Sequence, residues 1–273
     1  NLSGSADCAM WDTMRKRLRA WGATGVQRTA GYYFNDEHCS VNVAAFGSHA
    51  AHRGPVVTLP GAQPHRDGSH TTNTPIEHLA HHLAWAIHET DSRRGRAVDV
   101  VAHSMGGLLI RYALAATERG VKDFPPYLLV EDVVTLGTPH GGARGAWFGF
   151  EAAQMQVGSD LLKALERYAW EPDGRGGTDW TTVGSDDDDA VAADRAAGTD
   201  RDRDPTSRYV GSSHKVWYTT ADDIEHGDYG KRDSAAATAH AYVAPGRRPF
   251  TARPQRIVWP VRLAFTAIGS GKV

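Results

Sequence analysis

Asp99-Val100-Val101-Ala102-His103-Ser104-Met105-Gly106-Gly107 is the stretch whose reading decides the fold. A β-branched run stops at a small-x-Ser-x-Gly pentapeptide, and a helix-forming stretch, Leu108 to Arg119, follows at once. Strand, sharp turn and helix in that order put Ser104 at the apex of a nucleophile elbow. Such a turn forces its serine into a strained backbone conformation, and small neighbours let strand and helix approach closely. The hydroxyl then stands at a helix N-terminus, where the dipole and free N–H groups favour developing negative charge. The first small residue is Ala102, still compact enough for the turn.

Outward from the elbow, hydrophobic periodicity assigns the neighbouring elements. Upstream, Thr74-Pro75 opens a helix whose buried stripe is Ile76, Leu79, Ala80, Leu83 and Ile87, and Ala97 to Ala102 is the strand before the elbow. Downstream, Asp132-Val133-Val134-Thr135-Leu136 has the near-continuous apolar character of a parallel strand covered on both faces. Further out, residues 9–21 read as an amphipathic helix, and Val26 to Phe34 as a strand. Residues 35–74 read as a long loop excursion, with short extended pieces such as Val56 to Leu59. Residues 143–170 carry helical stretches interrupted near Gly158, followed by strands at Trp180–Val183 and Val216–Tyr218. Trp259 to Ile268 reads as a closing helix. The alternation argues for a doubly wound α/β architecture.

A chain of 273 residues and net charge −2 can bury a large core as one domain and carries no basic reader motif, so no nucleic-acid partner is expected. No apolar run approaches the length of a membrane span. The two cysteines, Cys8 and Cys39, read equally well as a pair in an oxidising compartment or as two buried thiols.

A serine hydroxyl needs a base within hydrogen-bond reach, and the base needs a carboxylate to fix its tautomer. Here the elbow, the run Val134-Thr135-Leu136-Gly137-Thr138-Pro139-His140-Gly141-Gly142, the segment Trp180 to Ser185 leading into an acidic run, and Glu225-His226-Gly227-Asp228-Tyr229 together resemble bacterial lipases and esterases of the α/β-hydrolase superfamily. The resemblance implies a mostly parallel central sheet with helices on both faces and a helical cap after the Leu136–Gly142 segment. It also implies the chain order Ser, acid, His. Among Asp186, Asp187, Asp188 and Asp189, the spacing from Ser185 and back from Val191 in similar lipases selects Asp188, with Asp187 next. His226 follows a strand by a loop. His214 precedes that strand, and His240 sits in an alanine-rich stretch that reads as helical, so His226 is the expected base.

The oxyanion needs two donors. One is expected from the Met105 backbone N–H. The second, by resemblance, comes from a His-Gly motif at the end of an early strand. No such motif precedes the first helix, and Asn1 to Ser5 resembles the loop that follows it, so the second donor and its strand are expected before Asn1. The chain thus reads as a single domain over 1–273 that lacks its opening strand, with 143–178 as a candidate cap and 186–208 as a mobile acidic loop. Trp147, Phe148 and Phe150 are the candidate substrate-contacting aromatics of that cap.

The histidines His49, His52, His65, His70, His78, His81, His82 and His88 invite a metal reading. No Glu accompanies His78 and His82 in a His-Glu-x-x-His arrangement and no cysteine pair is placed to help, so they are expected as exposed side chains beside the buried stripe, with no metal. Asp200, Asp202 and Asp204 are interleaved with arginines and lack the glycine and closing Glu of a calcium loop.

These observations imply a serine hydrolase of carboxylic (acyl or lipid) esters, a lipase or carboxylesterase, needing no cofactor. Its expected partners are an acyl-ester or lipid substrate and, transiently, a lipid surface. The resemblance favours secretion, as would a bridge if Cys8 and Cys39 pair. The same triad would serve an acyltransferase or a membrane-lipid deacylase; a non-catalytic lipid- or protein-binding relative is the remaining alternative.

Overall fold

The computed structural model describes residues 7–47, 70–143, 149–168, 172–198, 214–233, 237–243, 254–257 and 259–270. A 3-10 turn over Cys8–Trp11 leads into α1 (Asp12–Ala20). β1 (Ala30–Gly31) pairs in parallel with β2 (Val41–Asn42), followed by a second 3-10 turn, Val43–Ala45. Then come α2 (Ile76–Thr90), β3 (Val98–His103), α3 (Met105–Glu118), β4 (Val130–Leu136), α4 (Phe150–Gln154), α5 (Asp160–Tyr168) and β5 (Asp179–Ser185). The order continues with α6 (Ala193–Ala197), β6 (His214–Tyr218), β7 (Ala237–Val243), β8 (Pro254–Ile257) and α7 (Pro260–Ser270).

β3 to β8 form one six-stranded sheet in sequence order. β3, β4, β5 and β6 run parallel; β7 and β8 join antiparallel. The near-continuous apolar run of β4 is explained by helices on both faces. Val133 faces a core shared with Leu79 of α2, Leu109 of α3 and Leu162 of α5. Val134 and Leu136 face the opposite core, with Met14 and Leu18 of α1 and Val261 and Leu263 of α7. Two apolar layers on one mostly parallel sheet give the expected α/β arrangement, with helices on both faces.

Several expectations need correction. The strand expected over Val26–Phe34 contracts to the two residues of β1: Val26 is 79% exposed, and among the described residues the ladder with β2 covers Ala30 and Gly31. His240 lies in a strand, not a helix: β7 pairs with β6 and sets His240 opposite Trp217, so sheet pairing overrides the helical propensity of its alanines. The expected acidic loop 186–208 contains α6, which buries Ala193, Ala196 and Ala197, and Asp188 is buried as well. The remainder of that loop, 199–208, lies outside the described residues, as do Val56–Leu59. In the candidate cap, Met155, Leu161, Leu162 and Leu165 are part of the main core. Gln154 also accepts from Ile76 N (2.8 Å) and donates to the buried Glu77 carboxylate (2.6 Å), which ties α4 to the start of α2.

Cys8 and Cys39 form a disulfide across 31 positions. Closing a loop of that length stabilises the fold by about 3–4 kcal/mol in the chain-entropy account. It fastens the start of α1 beside β2.

Candidate active site

Four parallel strands deliver their C-terminal ends to one edge of the sheet, where α/β folds place ligands. Ser104 follows β3, Gly137 follows β4, Asp188 lies three residues beyond β5, and His226 sits on the loop after β6. The Ser104 N–H donates to Leu136 O (3.0 Å), so the ladder holds the serine at the end of β3 before α3 turns away. Its φ of 54° and ψ of −133° lie outside the allowed regions for an ordinary L-residue, a strain of about 1–3 kcal/mol that the flanking strand and helix must hold. The close approach behind the turn requires glycine at Gly107, where an added Cβ would lie 2.1 Å from Thr138 Oγ1.

The structure brings together the three side chains singled out from sequence. Ser104 Oγ lies 2.9 Å from His226 Nε2. The other ring nitrogen, Nδ1, lies 3.0 and 2.9 Å from the two oxygens of Asp188. With the proton on Nδ1, the imidazole donates to the carboxylate and presents a lone pair to the serine hydroxyl. His226 keeps 21% of its side chain exposed, while Asp188 is 1% exposed.

Burial separates Asp188 from its neighbours. Asp186 and Asp187 are half-buried and Asp189 is exposed. The Asp188 carboxylate accepts from Ala190 N (2.9 Å), Val191 N (2.8 Å) and Tyr229 Oη (3.2 Å), besides His226. A buried carboxyl group with four donors around it has its oxygens met and its orientation fixed.

The His226 loop is held from several sides. Ile224 and Tyr229 are buried, and Arg232 donates to Asp228 (3.1 Å) and to Asp223 O (2.8 Å). His103 Nε2 donates to the His226 carbonyl (2.7 Å), with the two rings 4.6 Å apart. Burial, with the His226 ring beside it, pushes the His103 pKa down to about 3. His103 therefore steadies the His226 backbone without placing a positive charge against its ring. Burial and the adjacent Asp188 push the Tyr229 phenol well above its usual pKa, so it remains a donor to the carboxylate.

His103, Tyr229 and Gly137 belong to this site, and reading the sequence did not assign them roles there. His103 had a signal in its place inside the elbow, and Tyr229 in its spacing of three from His226. Gly137 explains the glycine of the Leu136–Gly142 motif. It adopts φ +56°, and a Cβ there would lie 2.6 Å from Tyr229 Cε2 and 2.9 Å from Asp188 Oδ2. The carboxylate can reach the imidazole because this position has no side chain. His140 of the same motif packs inside, its Nε2 3.0 Å from Thr135 Oγ1.

Met105 opens α3 and is buried, so its N–H belongs to the helix end that faces away from intrahelical acceptors. Of the candidate cap aromatics, Phe150 is half-buried at the start of α4; Trp147 and Phe148 lie outside the described residues. The histidines expected to be exposed include several that are buried: His70, His78, His81, His82 and His88. Their apolar surroundings come from tertiary packing around α2 that the helical stripe alone does not reveal. Among the described residues, His70, His78 and His82 are the group able to offer nitrogens to one metal ion. No helix among the described residues is long and apolar enough to cross a membrane.

Comparison with known proteins adds a partial match. Residues 62–169 fit the model of a family described as "Putative serine esterase (DUF676)". That span holds the elbow and the Gly-Thr-Pro-His motif and ends before Asp188 and His226. No curated protein sequence matches the chain. Among solved structures, phospholipase PlaB from Legionella pneumophila, in complex with thio-NAD, aligns over 43% of this chain and 28% of its own at 15% identity and TM-score 0.35. Lipase B from Aspergillus fumigatus aligns over 43% and 28% at 18% identity and TM-score 0.33. The mature lipase BlEst2 from Bacillus licheniformis aligns over 42% and 50% at 23% identity and TM-score 0.32. The chain thus spans half or less of the length of each.

Proposed function

We propose that this chain is a serine ester hydrolase that cleaves acyl esters through an acyl-enzyme. The observation that carries the reading is the hydrogen-bonded line Ser104 Oγ, His226 Nε2, His226 Nδ1, Asp188 at 2.9, 3.0 and 2.9 Å, set on a strained strand-to-helix turn. In this reading Ser104 Oγ attacks the ester carbonyl carbon while His226 Nε2 takes its proton. Asp188 stabilises the imidazolium without taking the proton itself. The Met105 N–H meets the oxyanion of the tetrahedral intermediate, and the α3 N-terminus adds its dipole. The intermediate collapses as His226 returns the proton to the leaving alcohol, which leaves Ser104 acylated. Water, deprotonated by the same imidazole, then releases the acid.

The partial exposure of His226 beside a half-buried Ser104 suits a site that admits an ester from solvent. Phe150 and its neighbours Trp147 and Phe148 are proposed to contact the acyl chain. The Cys8–Cys39 bridge supports an oxidising compartment, in line with secretion. p-Nitrophenyl esters from acetate to palmitate test the activity. The expected result is turnover with an initial burst of p-nitrophenol no larger than the molar amount of protein, the kinetic trace of an acyl-enzyme. Absence of turnover at every chain length would overturn the proposal.

A further inference from the structure

We propose that His70, His78 and His82 form a site for one divalent transition-metal ion, with Zn²⁺ as the expected occupant. The site shares no residue with Ser104, His226 or Asp188, so it stands or falls independently of the esterase reading. Each of the three histidines offers a ligand nitrogen, and these nitrogens all lie within 4.8 Å of one another. All three side chains are buried, His82 completely.

The backbone builds this convergence in two steps. His78 and His82 are one turn apart on α2, which puts both rings on one helical face. His70 arrives from the segment before α2, and its ring centroid lies 5.0 Å from that of His78 and 4.8 Å from that of His82. His70 is held there from both sides of its residue: its Nδ1 meets Tyr32 O (2.9 Å), and its own carbonyl accepts from Phe34 N (3.2 Å).

The hydrogen bonds also select the tautomers that ligation needs. A ligating histidine commonly donates its second ring N–H to a backbone carbonyl or carboxylate, which fixes the other nitrogen as a lone pair. Two of the three histidines do this: His70 Nδ1 to Tyr32 O, and His82 Nδ1 to Phe46 O. In each, Nε2 is then the ring nitrogen that carries the lone pair. His82 Nε2 faces His78 Nε2 at 3.1 Å. Two nitrogens bound to tetrahedral Zn²⁺ at about 2.0–2.1 Å stand roughly 3.3 Å apart, so this pair already has the spacing of a coordination edge. His70 needs to close only part of the remaining distance.

A set of imidazoles with no thiolate or carboxylate suits Zn²⁺, Ni²⁺ or Cu²⁺ and disfavours Ca²⁺ and Mg²⁺, which prefer oxygen. Three protein nitrogens leave the fourth tetrahedral position to water. The consequence for the fold is a clamp, because the ion would join α2 to His70 and, through the two carbonyls, to the chain at Tyr32 and Phe46.

The test uses the full chain, stripped with a chelator, dialysed and equilibrated with Zn²⁺ alone. The expected result is one Zn²⁺ retained per chain after gel filtration, with a rise in Tm. His78→Ala and His82→Ala should weaken Zn²⁺ binding by at least about 100-fold. His88→Gln, on the same helix but with its ring on Tyr127 O, should leave binding unchanged. Co²⁺ loading of the wild-type chain gives a readout independent of whether the alanine variants fold. Intense visible absorption is expected from a four-coordinate site with nitrogen ligands. Failure to retain stoichiometric Zn²⁺, wild-type affinity in His82→Ala, or a weak octahedral Co²⁺ spectrum would each overturn the proposal.

Discussion

Ser104→Ala is expected to lower kcat for ester hydrolysis by about 10⁴–10⁶-fold while leaving the fold intact. The size follows from the loss of the hydroxyl oxygen proposed to bond covalently to the acyl group; what remains is the rate given by binding and oxyanion stabilisation. The fold should survive because alanine keeps the Cβ and meets the same φ of 54°, so backbone strain is nearly unchanged. The lost hydroxyl leaves His226 Nε2 facing a partly exposed site that water can enter. Removing His226 as well should cost little more, since the two act as one unit and their deletions do not add. Circular dichroism and thermal melting beside the kinetics separate this from unfolding. Retention of wild-type esterase activity by Ser104→Ala would contradict it.

Asp188→Asn is expected to lower kcat by about 10⁴-fold at neutral pH. The carboxylate now accepts four hydrogen bonds and donates none. An asparagine keeps one acceptor oxygen and brings two N–H donors. If its oxygen serves Ala190 and Val191, its amide faces His226 Nδ1 and drives the imidazole proton to Nε2, the wrong nitrogen for accepting from Ser104. If it turns the other way, its amide meets two backbone donors and the loop loses its anchor, at about 1–3 kcal/mol. Asp189→Asn, at the exposed position, should change kcat less than twofold. Equal losses at both positions, measured with p-nitrophenyl butyrate and checked by thermal melting, would sink the assignment of Asp188.

Both expectations rest on features the sequence displays to different degrees. The elbow is local: a β-branched run, small residues at Ala102, Gly106 and Gly107, and a helix-forming segment are enough to read it. Asp188 was singled out through its spacing in similar lipases and His226 through its loop after a strand, and the structure sets both beside Ser104. The strand ends themselves sharpened only in three dimensions, β5 extending to Ser185 and β3 to His103. His240 was misassigned because alanines favour helix in isolation, while pairing opposite Trp217 decides its state. Val26 to Phe34 failed for the opposite reason: among the described residues a ladder partner meets only Ala30 and Gly31, and Val26 is left exposed. The buried histidines were out of reach, since the ring of His70 meets those of His78 and His82 only after a loop has folded back onto α2. The contact of His103 with His226 was missed likewise, because the two stand 123 positions apart in the chain.

The most direct test of the central claim is covalent. Incubation of the full-length protein with a fluorophosphonate, followed by peptide mass spectrometry, should give a single phosphonyl adduct on Ser104. The adduct should approach one per chain and coincide with loss of esterase activity. Labelling at another residue, or inactivation without modification of Ser104, would contradict the account.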